Sequence, residues 1–457
     1  MMDRGTGLAP YSVSSRIFVD PLYLPALKNM LDEPPMKDQV RNYVAAPLRG
    51  IAKLLSTRRR SRALEYLEAD VSYLRAHKFY KVELEEWIKS QLDIKLVVSL
   101  AEELCQIAYG LCFAEVATRT TNLVEKVIVI QSIAYGCLSE IDQFIQLGLD
   151  LPVGVVPGGI DAEYFRAWVI EDGLIGAPPD YFNENGQRWG LVGFQFKQDA
   201  MTPDDFAPLS IALSVYSLVS SAIRIDHAIG LERLCVIRND ADSDSSDWYY
   251  FVQQPRDALL DYLGQVTSEG EVDIVAEDLG VVPIDLRQQL VEHGLHLMKV
   301  LCFEEAVLPK LNGRDMAMPT THDTPTSPWL LTAQEFVNDD EEGMSVKLEM
   351  HLETDQAETR DLPVISQEFL DLLVKMARSD KGRVIYFERY LEKLICHLRQ
   401  LKPKFAILSL RDLTGDMDRL NMPGMTSEDR VNFFRPISCG AALYNDLLEI
   451  SNIAGMT

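Results

Sequence analysis

Ala222-Ile223-Arg224-Ile225-Asp226-His227 is the stretch on which the fold turns: an apolar run that ends on an acid. Two downstream stretches repeat the arrangement. Val272 to Ala276 runs into Glu277-Asp278-Leu279-Gly280, and Met316 to Thr321 runs into His322-Asp323-Thr324-Pro325-Thr326. Further β-type runs cover 153–156, 297–301 and 405–410. Several are apolar on both faces, as strands of a parallel sheet covered by helices must be. Before residue 148 the texture is helical, with Leu64, Leu67, Val71 and Leu74 at helical spacing. Repeated strand–helix units with acids at strand C-termini predict an α/β fold of the (β/α)8 TIM-barrel type, whose active site lies at that end. A doubly wound sheet is the alternative. Six strands are recognisable where a closed barrel takes eight. The expected organisation is a single catalytic domain over residues 1–457. It has a largely helical insertion at about 36–147 and a motif-bearing barrel portion at about 148–440.

The composition narrows the function. The chain has 457 residues, 47% hydrophobic and 25% charged, which suits a globular core. Its net charge of −25 repels phosphate backbones and anionic lipid, so neither nucleic acid nor membrane is an expected partner. Seven scattered cysteines without a Cys-x-x-Cys read as reduced thiols in a cytoplasmic protein. Met1-Met2-Asp3-Arg4-Gly5 has no apolar core for a signal peptide, and Glu102 and Glu103 interrupt the most apolar helical stretch. Arg58-Arg59-Arg60-Ser61-Arg62, at the start of a predicted helix, reads as a solvated face, as does Asp339-Asp340-Glu341-Glu342. Asp240, Asp242 and Asp244 alternate like a calcium loop, but Ser245 stands where the loop needs Gly and Phe251 where it needs Glu. No metal site is expected.

Three carboxylates at strand ends suit retaining glycoside chemistry. One attacks the anomeric carbon, a second protonates the leaving oxygen and later deprotonates the acceptor, and a third holds sugar hydroxyls. Arg224 and Asp226 are two apart on a strand and share a face, so the guanidinium favours an ionised Asp226. Glu277 ends an apolar strand, where burial raises a carboxyl pKa towards acid catalysis. His322, Asp323 and His227 suit hydroxyl binding. Singly, each of these features is commoner as a structural salt bridge or a turn; the ordered conjunction carries the reading.

These segments, together with Gly176-Ala177-Pro178-Pro179-Asp180-Tyr181-Phe182 running through Gly186-Gln187 to Trp189-Gly190, give a family likeness. The chain resembles the 4-α-glucanotransferases of the amylomaltase group, glycoside hydrolase family 77. Pro10-Tyr11-Ser12, Asp150-Leu151-Pro152, Met298-Lys299-Val300-Leu301 and Leu420-Asn421-Met422-Pro423-Gly424 also match, so the likeness runs from about residue 8 to about residue 440. The resemblance implies Asp226 as nucleophile, Glu277 as acid/base and Asp323 as transition-state stabiliser. Arg224 would support the nucleophile. Tyr11, Tyr181, Phe182, Trp189, His227, His322 and Asn421 would contact sugar, Tyr181 and Phe182 on a mobile loop that excludes water. It implies a maltodextrin or other α-1,4-glucan donor, a glucose or glucan acceptor, and no cofactor. Family members begin well before the Pro-Tyr-Ser motif, so the first two barrel strands are expected to be missing here. Phe433 stands where the family usually has Trp, and Arg411 where it has an acid.

Overall fold

The computed structural model describes residues 14–19, 51–179, 186–239, 248–270, 272–304, 313–332 and 387–414. Two units divide the chain: residues 1–35, 48–177 and 188–295 in one, and 36–47, 178–187 and 296–457 in the other.

The first unit opens with helices. Ile94–Tyr109 shows why they form. Asp93 caps it by accepting the Lys95 N–H, and Leu96, Val97, Leu100, Ala101, Leu104, Cys105 and Ala108 fall on one buried stripe. Gly110, at φ +69°, ends it in the left-handed conformation that costs glycine least. The basic run sits inside helix Ile51–Glu68 rather than at its start. Helix Leu123–Ile145 clamps the N-terminal segment: Gln131 brackets the Val19 backbone and the Tyr135 hydroxyl donates to the Ile17 carbonyl at 2.8 Å. On that segment Arg16 is buried. Its backbone N–H donates to Asp161 at 2.7 Å, and its guanidinium donates to the Pro208 carbonyl at 3.0 Å over the Phe194 ring.

Seven strands follow in this unit: β1 (Gly148–Leu151), β2 (Gly173–Ala177), β3 (Gln187–Leu191), β4 (Ala222–Ile225), β5 (Arg233–Arg238), β6 (Tyr249–Gln253) and β7 (Asp273–Ala276). β4 lies parallel between β1 and β7, with Arg224 opposite Asp150 on one side and Val275 on the other. β3-β2-β5-β6 form a second sheet, antiparallel at β2–β5 and β5–β6, whose Ile175, Leu191, Leu234, Val236 and Val252 pack with Ile170 into one cluster. The second unit carries β8 (His296–Val300), β9 (Met316–Met318) and β10 (Phe405–Ala406), parallel in that order.

Five of the six expected runs contain a strand near its expected place, the last two shrunk to three and two residues. The run 272–276 loses its first residue, and 297–301 shifts back by one. Residues 153–156 are the exception. The strand is Gly148–Leu151, because Pro152 has no N–H to give a ladder and ends it. Only Val155 then bridges, to Val192, where Gly154 lies so close that a Cβ would stand 2.5 Å from the Val192 carbonyl oxygen. The antiparallel sheet was not expected: β2 and β3 carry glycines and an arginine, and the apolar run 234–237 of β5 was not read as a strand.

Candidate active site

β4 alternates as a half-covered strand does. Ile223 and Ile225 are buried, while Ala222 and Arg224 face the other way. Asp226 follows on the Arg224 face, as the two-residue period requires. Its backbone N–H donates to Leu151 at the end of β1, and the Glu277 N–H donates to Ile225 at the end of β4, so both acids leave the sheet at one level.

The Arg224 guanidinium joins three carboxylates. Nη1 donates to Asp150 Oδ1 at 2.6 Å and Oδ2 at 2.7 Å, and lies 3.1 Å from Asp226 Oδ1. Nη2 lies 2.8 Å from Glu277 Oε2. The side chains of Arg224, Asp226 and Glu277 are 14%, 17% and 16% exposed, so these charges meet in a poorly solvated place. Asp150 is a site residue that the sequence reading missed. It was visible as an acid before Pro152, but with the strand placed at 153–156 it had no register. The observed ladder sets it opposite Arg224.

Three negative charges against one positive charge favour retaining a proton, since like charges at about 4 Å repel by about 4 kcal/mol at an effective dielectric near 20. Burial holds the Asp226 carboxyl well above the usual range, and the nearby Glu277 charge adds to this against the pull of Arg224. Glu277 goes the other way. Burial opposes its ionisation, but Arg224, the His227 N–H and a hydrogen bond from Asp226 together outweigh that and hold it below the usual range. The sequence reading expected the raised carboxyl to be Glu277. The proton partition is reversed because Asp150 occupies Nη1, leaving Nη2 for Glu277, and because a backbone donor also points there.

That donor depends on His227, whose φ of +52° is uncommon for a residue with a side chain. The conformation aims its N–H at Glu277 Oε2, 2.8 Å away, and sets its ring edge-on to Trp189, centroids 4.8 Å apart. Burial lowers the His227 pKa, so the imidazole is neutral at pH 7. A cavity of about 60 Å³ adjoins Asp226 and His227, walled by Leu151, Val153, Phe194 and Leu231.

In the second unit, His322 and Asp323 stand on the turn after β9, with Nε2 and Oδ2 3.3 Å apart. The Asp323 N–H donates to Thr321 Oγ1, and Thr324 folds back on Thr321. Asp226, Glu277, Arg224, His227 and Trp189 thus gather in one unit, and His322 and Asp323 in the other. Tyr11, Tyr181, Phe182 and Asn421 lie outside the described residues. Among the described residues, no group of three or more His, Cys, Asp or Glu is placed to hold a metal ion, and no helix is long and apolar enough to cross a membrane.

Solved structures share this architecture. An amylomaltase from Corynebacterium glutamicum matches with a TM-score of 0.64 at 20% identity, over 98% of this chain and 67% of that one. An amylomaltase from Streptococcus agalactiae in complex with acarbose matches with a TM-score of 0.67 at 17% identity, over 100% and 90%. The fold is therefore α/β and TIM-barrel-like. In sequence, a 4-alpha-glucanotransferase of Mycobacterium tuberculosis is 28% identical over 295 residues, 61% of this chain and 38% of that protein. The match thus spans about two fifths of the relative's length. The family model described as 4-alpha-glucanotransferase, glycoside hydrolase family 77, matches residues 2–437, and the chain belongs to that family.

Proposed function

We propose that this chain is a retaining 4-α-glucanotransferase that moves segments of α-1,4-glucan between maltodextrins or to glucose. In the first step an Asp226 oxygen attacks the anomeric carbon while Glu277 gives its proton to the departing glycosidic oxygen. The bond to the leaving sugar breaks and a glycosyl–Asp226 ester forms. In the second step Glu277 takes the proton of an acceptor 4-hydroxyl, whose oxygen attacks the same carbon and releases Asp226. The proton lost with the departing sugar is replaced by the acceptor's, so Glu277 ends as it began.

The observation that carries this reading is the hydrogen-bonded Asp226–Glu277 pair gripped by Arg224. The pair holds the proton the chemistry needs, but on the wrong oxygen for attack. A sugar ring needs the two carboxyls about 5–5.5 Å apart. Its entry would break their hydrogen bond, and Arg224 would then pair with Asp226 while Glu277, facing the glycosidic oxygen, takes the proton. Asp323 would stabilise the cationic ring, with His322 on a neighbouring hydroxyl. Trp189, set against His227, would offer its indole to a glucose face. Tyr11, Tyr181, Phe182 and Asn421 complete the expected glucan contacts.

Incubation of the full chain with maltotriose tests the proposal. Transfer gives glucose and a ladder of longer maltodextrins, hydrolysis gives glucose and maltose alone, and no turnover leaves a glucan-binding protein. Asp226→Asn should abolish the ladder; its survival would refute Asp226 as nucleophile.

A further inference from the structure

We propose that Asp412 is a positioning residue for the His322–Asp323 turn. The inference rests on the transferase reading, in which that turn bears on the reacting sugar.

The turn leaves β9 at Thr320 and ends at Ser327, the first residue of helix Ser327–Thr332. Asp412 comes from a distant part of the chain, in helix Leu410–Thr414, and its fully buried carboxylate holds both feet of the turn. Thr320 Oγ1 donates to Oδ2 at 2.9 Å. The Ser327 N–H and Oγ donate to Oδ1 at 2.8 and 2.6 Å. Ser409 Oγ donates to Oδ2 at 2.6 Å and accepts the Asp412 N–H at 2.9 Å, which fixes the carboxylate plane. Thr320, Thr324 and Ser327 are themselves buried, whereas His322 and Asp323 stand partly exposed between them. The turn is thus anchored at its base. Its internal bonds close a small ring from Thr321 to Thr324 and set its shape. One carboxylate fixes both feet. A hydroxyl or amide in its place could not accept all four hydrogen bonds.

A shift of about 1 Å in a group that meets the transition state can cost about 100-fold in rate. Asp412→Asn keeps the shape but replaces one acceptor oxygen with a donor. With the full chain and maltotriose, Asp412→Asn should lower kcat by about 10- to 100-fold while KM stays within about threefold, because the loss falls on the transition state. His322→Ala tests coupling. If Asp412 acts through the turn, the double variant should lose no more than about threefold beyond Asp412→Asn. Multiplied losses, or an unchanged kcat in Asp412→Asn, would overturn the proposal. Thr320→Val frees one foot and keeps the carboxylate; should Asp412→Asn fail to fold, the same cycle with Thr320→Val decides by the same criteria. A wild-type chain that does not turn over maltotriose would instead sink the transferase reading, whereas an active wild type with multiplied losses would sink the positioning role alone.

Discussion

Replacing Asp150 with Asn should move the whole pH–rate profile to lower pH. Asp150 and Asp226 approach the same Arg224 Nη1, at 2.6 and 3.1 Å, so their oxygens lie within about 6 Å of each other. At that separation and an effective dielectric near 20, the Asp150 charge opposes ionisation of Asp226 by about 3 kcal/mol, or about two pKa units. Asp150 is 35% exposed, so water screens part of this, and about one unit is the fair expectation. The sign is fixed by geometry. Removing the charge eases loss of each proton from the Asp226–Glu277 pair. Both limbs of the kcat/KM profile therefore shift acidward together. Asn keeps one oxygen for the guanidinium, so the arginine stays in place. The assay is glucose release from maltotriose between about pH 4 and pH 9, where kcat/KM reports the free enzyme's acid and base. Limbs unmoved within about 0.3 unit, or moved alkaline, would refute the coupling through Arg224.

Other consequences follow from single features. His77 is buried beneath the helical region, and burial pushes its pKa down to about 4. A depressed histidine contributes stability that is full above its unfolded value near 6.5 and lost as pH falls through 4, so urea melts should show about 3 kcal/mol lost over that window, and His77→Phe should flatten the slope. Glu85 is held down to about 2, chiefly by Arg75; its contribution is present above about 4.5 and lost towards pH 2, which Glu85→Gln removes from the acid melt. Arg16→Met should destabilise the chain by about 3–5 kcal/mol in denaturant, because it strands buried Asp161 without its partner. His227→Gly accepts the φ of +52° and keeps the N–H on Glu277, whereas His227→Ala does not accept it as easily; the glycine variant should melt no lower than the alanine one, while both raise KM for maltotriose through the lost ring.

The strands that hold the acids were legible from their buried apolar residues, alternating in Ala222–Ile225 and consecutive over 274–276. β1 was not, because Gly148-Leu149-Asp150-Leu151 spends half its length on glycine and a charge, and the apolar residues beside it belong to the loop after Pro152. That single displacement hid Asp150. The antiparallel β5–β6 ribbon was missed although β5 carries the apolar run 234–237. Arg233 and Arg238 cover the rings of Phe251 and Tyr250 with their guanidinium groups, a stabilisation that hydrophobic patterning does not register. The identities of Asp226, Glu277, Arg224 and His227 were readable from strand-end position, but the backbone conformation that turns the His227 N–H onto Glu277 was not.

The reversed proton partition is where sequence and structure part most usefully. A raised pKa was assigned to Glu277 from its own strand end, as though each acid answered to its immediate surroundings. In the folded chain the two carboxyls are one titrating system, and Arg224 decides its balance through geometry that no single strand specifies. Their repulsion pushes the two macroscopic steps apart, so one proton stays on the pair across the interval between them. That is the stoichiometry the first step of a double displacement requires: one acid to give a proton and one carboxylate to bond carbon. What the substrate must supply is then not a proton but a redistribution. In the proposed reaction, a glucan segment between the carboxyls would sever the hydrogen bond to Glu277 and bury it against a neutral oxygen. Both changes raise its proton affinity, while Asp226 keeps its contact with Nη1. On the proposed transferase reading, an occupied cleft would ready the acid and the base together, and the empty site keeps Asp226 protonated.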